Sequence, residues 1–287
     1  MRTLLFFIVF LNSTVLSAQF DLNSGTRPLS FYSDVMVSAI EAEHRSYASQ
    51  MFYNAFKTYA DSVNVYEADL SFLKTLSVLT HDEAEFKLIS WQVEKASFVY
   101  EYHAFVVFED GSYRELIQSP VIDNSIQYMS VDPGSWYGAL YYNLMPLDKN
   151  RFVVFGYNAY GKYDHIKIAD VLTINGKDVS LGAPIFEDRS EADSYMERIV
   201  MKYSSDASVN LNYNPGLKMI IMDHLEARMG RQEGQGTTMI PDGTYEGYEY
   251  VDNHWKYVEK IYDHSYGENN FPRPKPVLDK KKNLFGQ

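Results

Sequence analysis

Residues 100–111, YEYHAFVVFEDG, decide the fold, because their period is two. Tyr100, Tyr102, Ala104, Val106 and Phe108 alternate with Glu101, His103, Phe105, Val107 and Glu109, and Asp110-Gly111 ends the run with a hairpin signal. A strand that turns back on itself is the unit of an antiparallel sheet, and the same grammar extends outward from here. Trp136, Leu140, Tyr142 and Leu144 line one face of a strand after the Asp132-Pro133-Gly134 turn, and Arg151 to Tyr157 is apolar on both faces, as in a central strand. Ile166 to Ile174 runs into Asn175-Gly176. Val209, Leu211 and Tyr213 alternate with polar neighbours, and Lys218 to Leu225 is a further strand. Tyr245 to Val251 and Trp255 to Tyr262 flank the Asp252-Asn253-His254 turn. About ten strands joined by short turns predict a mostly antiparallel body over residues 67–268, either a sandwich or a propeller-like meander.

Upstream the period changes. Val37, Ile40, Tyr47, Met51, Ala55, Phe56 and Tyr59 recur at mostly three- and four-residue steps with no Gly or Pro between them, which predicts one long helix or a helix pair within residues 19–66. Ser33 and Asp34 are candidate caps, and Ser38 with Glu41 has capping-box spacing for a restart. Glu41, Glu43, His44 and Arg45 read as a solvated face. The fold class is therefore α+β, with helices packed on a β body.

Polar turn plus apolar strand recurs at a constant spacing of 66 residues, starting at Asp82, Asp148 and Asn214. Such a period fits stacked sheets or enlarged propeller blades.

The chain begins MRTLLFFIVFLNSTVLSA. Arg2 precedes an apolar run from Leu4 to Leu11 too short to span a bilayer, and Ser17-Ala18 offer small residues for cleavage. Residues 1–18 thus read as a signal peptide, with a mature start at Gln19 and a periplasmic or outer-membrane-associated location. The chain contains no cysteine, so neither a lipid-bearing thiol, a disulfide framework nor a thiolate metal site is expected. No second long apolar run predicts a membrane span in the mature chain.

Charge narrows the partners. With Asp+Glu 38 against Lys+Arg 26, the acidic body repels nucleic acid and anionic lipid. The exception is the tail, residues 269–287, where Pro272, Pro274 and Pro276 precede Lys280, Lys281 and Lys282 and then Leu284 and Phe285. That composition suits a docking peptide with a basic stretch and an apolar anchor. Tyrosine is abundant, at 24 residues, and suits both half-buried sheet faces and contact patches on proteins and sugars.

Catalytic motifs are sparse. His224 and Glu226 share a strand face, which is too few ligands for a metal unless His254, His264 or Asp263 comes near. Asp164-His165 has no Gly-x-Ser-x-Gly partner. Asp170, Asp223, Glu226, Asp242 and Glu246 all stand near strand ends, where a pair could serve a glycosidase. Gly230 to Gly236 lacks a following Lys-Ser/Thr and reads as a mobile loop, not a phosphate cradle. No cofactor is expected.

The segments WYGALYY (136–142), KIADVL (167–172), MDHL (222–225) and PDGTYEG (241–247) resemble a family of exported Bacteroidetes proteins of uncharacterised function. The likeness extends over most of the mature chain. It implies lineage and compartment but brings no reaction with it. Where members of that family read Gly-Trp/Phe-Asp-Gly after the central strand, this chain has Gly156-Tyr157-Asn158-Ala159. The expectation is a non-catalytic accessory protein that docks on a protein partner of the outer membrane or periplasm. Lineage suggests a gating or plug-like subunit of a type IX-like secretion translocon. The alternative is a glycan-binding module or glycosidase of the envelope, with Trp91, Trp136 and Trp255 as a surface platform for sugar rings.

Overall fold

The structure, a computed structural model, describes residues 22–119 and 124–261. It opens with a helix pair, α1 (Leu22–Ser38) and α2 (Ala42–Ser62). The anticipated caps lie elsewhere. Ser33 and Asp34 fall inside α1, which starts earlier and carries Pro28, and Ser33 Oγ donates back to Ser30 O at 3.2 Å as a mid-helix serine does. Glu41 is the N-cap residue of α2 but makes no side-chain cap, while Ser38 Oγ donates to Asp34 O at 2.7 Å. Arg45 is not solvated either. It donates to Ala39 O, Ile40 O and Glu94 O, fastening the loop between the helices to the sheet below.

Three mostly antiparallel sheets follow. The first sheet has the order β1-β2-β3-β4, from β1 (Ser77–His81), β2 (Phe86–Ala96), β3 (Val99–Phe108) and β4 (Tyr113–Leu116). The second is built from β5 (Leu140–Pro146), β6 (Arg151–Asn158), β7 (Asp164–Asn175) and β8 (Asp178–Leu181). After two short strands, β9 (Phe186–Glu187) and β10 (Tyr195–Met196), the chain adds β11 (Arg198–Ser204) beside β7. The third sheet takes β12 (Leu211–Asn214), β13 (Met219–Met229), β14 (Thr237–Val251) and β15 (His254–Val258), with β9 and β10 completing the order β10-β9-β15-β14-β13-β12.

The 66-residue echo has a structural meaning. Its copies sit at the turns that join β1 to β2, β5 to β6 and β12 to β13, each a hairpin between an edge strand and its neighbour in one of the three sheets. The sheets stack as a sandwich, and no propeller closes among the described residues. Among the described residues fifteen strands replace the expected ten or so, because pieces of two to five residues carry too little alternation to be read from sequence.

Side-chain alternation assigns each core. On β3, Phe105 and Val107 face the helices, where they join Phe52, Phe56 and Leu29, while Ala104 and Val106 face the second sheet. On β6, Phe152 and Val154 face the first sheet, and Val153 and Phe155 face the third. The two-sided apolarity of Arg151 to Tyr157 is thus that of a middle layer. The strand after Trp136 departs from the simple alternation. A register shift between Tyr141 and Asn143 sends Tyr142 to the third-sheet side while Leu140 and Leu144 pack toward the first. Gly156 permits this crowding, since a Cβ there would meet Ala139 Cβ at 2.9 Å.

Candidate functional site

The three tryptophans form no surface platform. Trp91 and Trp136 are 0% exposed and Trp255 is 1% exposed. Each sits in a different core, where a large ring contributes more by filling an interlayer space than by waiting for a ligand. Trp91 packs between α2 and the first sheet, its ring 5.2 Å from Phe52 and 5.5 Å from Phe56. Trp136 Nε1 donates to Tyr141 Oη at 2.9 Å, and Trp255 lies 5.0 Å from Tyr250. Residues 1–18 and the tail with Lys280, Lys281, Lys282, Leu284 and Phe285 lie outside the described residues.

The carboxylates near strand ends disperse into separate tasks. Asp223 accepts from Asn210 N at 2.6 Å, and Glu226 pairs with Arg228. His224 therefore does not act with Glu226. A register shift between Asp223 and Leu225 turns His224 toward β14, where Nδ1 meets Asp242 Oδ2 at 2.9 Å and Nε2 stands 4.0 Å from Glu246 Oε2. Among the described residues no group of three His, Cys, Asp or Glu side chains could hold a metal ion. Asp164 takes Thr238 Oγ1 and Lys202, and burial pushes the neighbouring His165 below its usual range. The Gly230 to Gly236 loop is pinned, since Gln235 Nε2 donates to Tyr163 O and Ser204 Oγ.

Two of the sequence segments quoted above, 136–142 and 167–172, meet in one sealed network. Tyr137 Oη donates to Asp170 Oδ2 at 2.9 Å and lies 3.1 Å from Tyr141 Oη. Burial pushes the Asp170 carboxyl up, while Arg198, Tyr137 and the Val171 N–H pull it back. Nothing in this network reaches solvent, so its role is to hold the sheets.

A cleft of about 770 Å3 opens beside α2 instead. Its origin is a mismatch of strand lengths. β4 pairs only with Ala104 to Val107 of β3, so the stretch from Val99 to His103 has no strand on that side and the sheet is notched beneath the first half of α2. Above the notch α2 offers a polar stripe, Ser46, Gln50, Tyr53 and Lys57, next to its apolar stripe of Ala48, Phe52 and Phe56. Below it, the helix-facing residues of β3 and β4 are Glu101, His103 and Glu115, three polar groups on the face that carries Phe105 and Val107.

These groups are fixed in place. Glu115 accepts from Tyr53 Oη at 2.6 Å and from Lys57 Nζ at 3.2 Å. Burial and the Glu115 carboxylate raise the Tyr53 phenol, and the Tyr53 and Glu115 contacts hold Lys57 well above its usual range. Glu101 lies 3.2 Å from Lys95 Nζ and 3.6 Å from His103 Nε2, and the His103 contact holds its carboxyl below the ordinary 4.5. The His103 ring is stacked on Trp91 at 5.0 Å and 19° and faces Tyr53 at 5.4 Å. At the mouth Tyr47 is 64% exposed. Beneath the cleft, Ser49 Oγ and Trp91 Nε1 are buried with no hydrogen-bond partner among the described residues.

Sequence reading counted Tyr47 among the helix core and left Glu101 and His103 as alternating neighbours. The signal that points to the cleft is that they share a face with Phe105 and Val107, and polar residues on a doubly apolar strand need partners.

Comparison of the chain with protein-family models, with curated proteins and with solved structures finds no match in any of the three.

Proposed function

We propose that this chain is an exported envelope protein whose cleft beside α2 binds a saccharide without hydrolysing it. The observation that carries the reading is the cleft itself, about 770 Å3, whose lining includes the polar groups Gln50, Tyr53, Glu101 and Gln118, with the exposed Tyr47 ring at its mouth. A sugar supplies hydroxyls for the Gln50 amide and the Glu101 carboxylate and an apolar ring face for Tyr47. The carboxylates argue against hydrolysis. A glycosidase needs one acid kept protonated by a raised pKa, whereas Glu101 is held ionised and Glu115 is occupied by Tyr53 and Lys57.

The test is a glycan array followed by calorimetry on the glycans retained. Tyr47→Ala and Glu101→Gln should each weaken binding at least about tenfold with no reducing sugar released. An array that retains no glycan overturns the proposal.

A second reading, docking on an outer-membrane assembly such as a type IX-like translocon, is favoured by apolar side chains left at one end. Ile40 is 91% exposed, Phe98 50% and Val99 55%. Arg45 joins Ile40 O to Glu94 O, and Glu94 Oε1 accepts from Phe98 N at 3.0 Å, so the loop and the hairpin tip lie together. Phe98 holds a φ of 62°, a costly conformation for a bulky residue. Ile40→Ser with Phe98→Ser should abolish co-purification with outer-membrane proteins; retention of the same partners by the double variant would rule this surface out.

A further inference from the structure

A second cavity, of about 310 Å3, lies where β11 at the edge of the second sheet faces β13 and β14 of the third. Its walls are rich in thioethers, Met196, Met201, Met222 and Met239. Methionine has three rotatable bonds and a polarisable sulfur, so a wall made of it adapts to a flexible hydrocarbon.

One end of the cavity is charged, and its charges are not equally satisfied. Glu246, only 2% exposed, accepts from Arg189 Nη1 at 2.8 Å on Oε1 and from Tyr257 Oη at 2.6 Å on Oε2. Asp188, 5% exposed, accepts from Ser190 N and Ser190 Oγ on one oxygen and from Tyr128 Oη on the other. Lys202 is paired with Asp164 at 3.2 Å. Arg189 differs from all of these. Its Nη1 is anchored and its guanidinium lies 5.5 Å over the Tyr257 ring, yet among the described residues its Nε and Nη2 have no partner, and the side chain is 51% exposed. The uncommitted donors at the mouth of an apolar cavity therefore belong to a pre-oriented guanidinium, whose fork matches a carboxylate.

We infer that this cavity binds a small aliphatic carboxylate, with its hydrocarbon among the methionines and its carboxylate on Arg189 Nε and Nη2. The volume lies near the lower end of ligand pockets, which run from about 300 to 1,000 Å3, so the chain is short. A free medium-chain fatty acid and the apolar C-terminal residue of a peptide share this chemistry. The site is separate from the cleft beside α2.

Calorimetry on the full mature chain decides it, using octanoate, octanol, octylamine and N-acetylleucine as probes. Octanoate or N-acetylleucine should bind at least about tenfold more tightly than octanol and octylamine, and whichever of the two acids binds identifies the source. Arg189→Gln should erase that preference, and Met239→Trp, which fills the cavity from a half-buried position, should remove acid binding while thermal unfolding stays native. Equal affinity for octylamine and octanoate, no binding of either acid, or full acid affinity in folded Arg189→Gln protein each overturns the inference.

Discussion

Arg198 Nε donates to Asp170 Oδ2 across 2.8 Å between directly paired residues of β11 and β7, with neither side chain exposed to solvent. The remaining donors of Arg198 reach Ile126 O, Met129 O and Leu181 O, so one guanidinium ties the segment before β5 to the second sheet. A buried ion pair survives only when its hydrogen bonds are completed, and here they are. Removing one partner leaves the other charged and dry. Arg198→Met and Asp170→Leu should each cost about 3–5 kcal/mol, while the double variant carrying both should recover part of that loss. Urea midpoints of the three variants check this; additive losses in the double variant would contradict the pairing.

The tryptophans and Tyr47 should behave in opposite ways. Trp136→Ala opens a cavity in the core between the first two sheets and should destabilise by about 3–5 kcal/mol. Tyr47→Ala removes a mostly exposed ring and should change stability by less than about 0.5 kcal/mol, yet reduce saccharide retention. Denaturation curves measured beside glycan binding separate the two effects.

Acid should weaken the cleft before it unfolds the cores. The folded-state carboxyl of Glu101 titrates below its ordinary 4.5 because His103 and Lys95 favour its ionised form. A depressed carboxyl pKa contributes stability that is fully present above the unfolded value and is lost as pH falls through the folded one. The increment should therefore be intact at neutral pH and disappear below about pH 4.5. Thermal unfolding of Glu101→Gln should lack this increment at pH 7 and approach the parent as pH falls through the folded-state pKa of Glu101. Parallel curves over the whole range would show that Glu101 gains nothing from its partners.

Period-two alternation placed β3, apolarity on both faces placed β6, and the turn residues at Asp110-Gly111, Asn175-Gly176 and Asp252-Asn253 marked strand ends, because each has a strong local cause. Asp252 and Asn253 do adopt positive φ, at 52° and 63°. The helix start was not legible, since Pro28 reads as a boundary whereas α1 already begins before it, at Leu22. Nor were the tryptophans placed, because composition does not say which face of a strand is covered on both sides. The cleft depends on β4 being shorter than β3, a property of pairing that no single segment encodes. His224 illustrates the same limit: alternation puts it with Glu226, and a register shift in β13 gives it to Asp242.

The last expectation concerns the tail, and the third sheet gives it a sharp form. β15 is paired on one side with β14 and on the other with β9, so the last strand of the described chain already occupies an interior position when it ends at Val258. Truncation after Asp279 leaves every described strand pair intact and should not move the unfolding midpoint. If Leu284 and Phe285 anchor the protein on an envelope partner, the same truncation should abolish co-purification. Replacing Lys280, Lys281 and Lys282 should weaken association more at low than at high ionic strength, because exposed charges are screened within about 10 Å at 0.1 M salt. A truncated chain that unfolds at lower temperature would assign the tail to the fold, and one that keeps its partner would free Leu284 and Phe285 of any docking role.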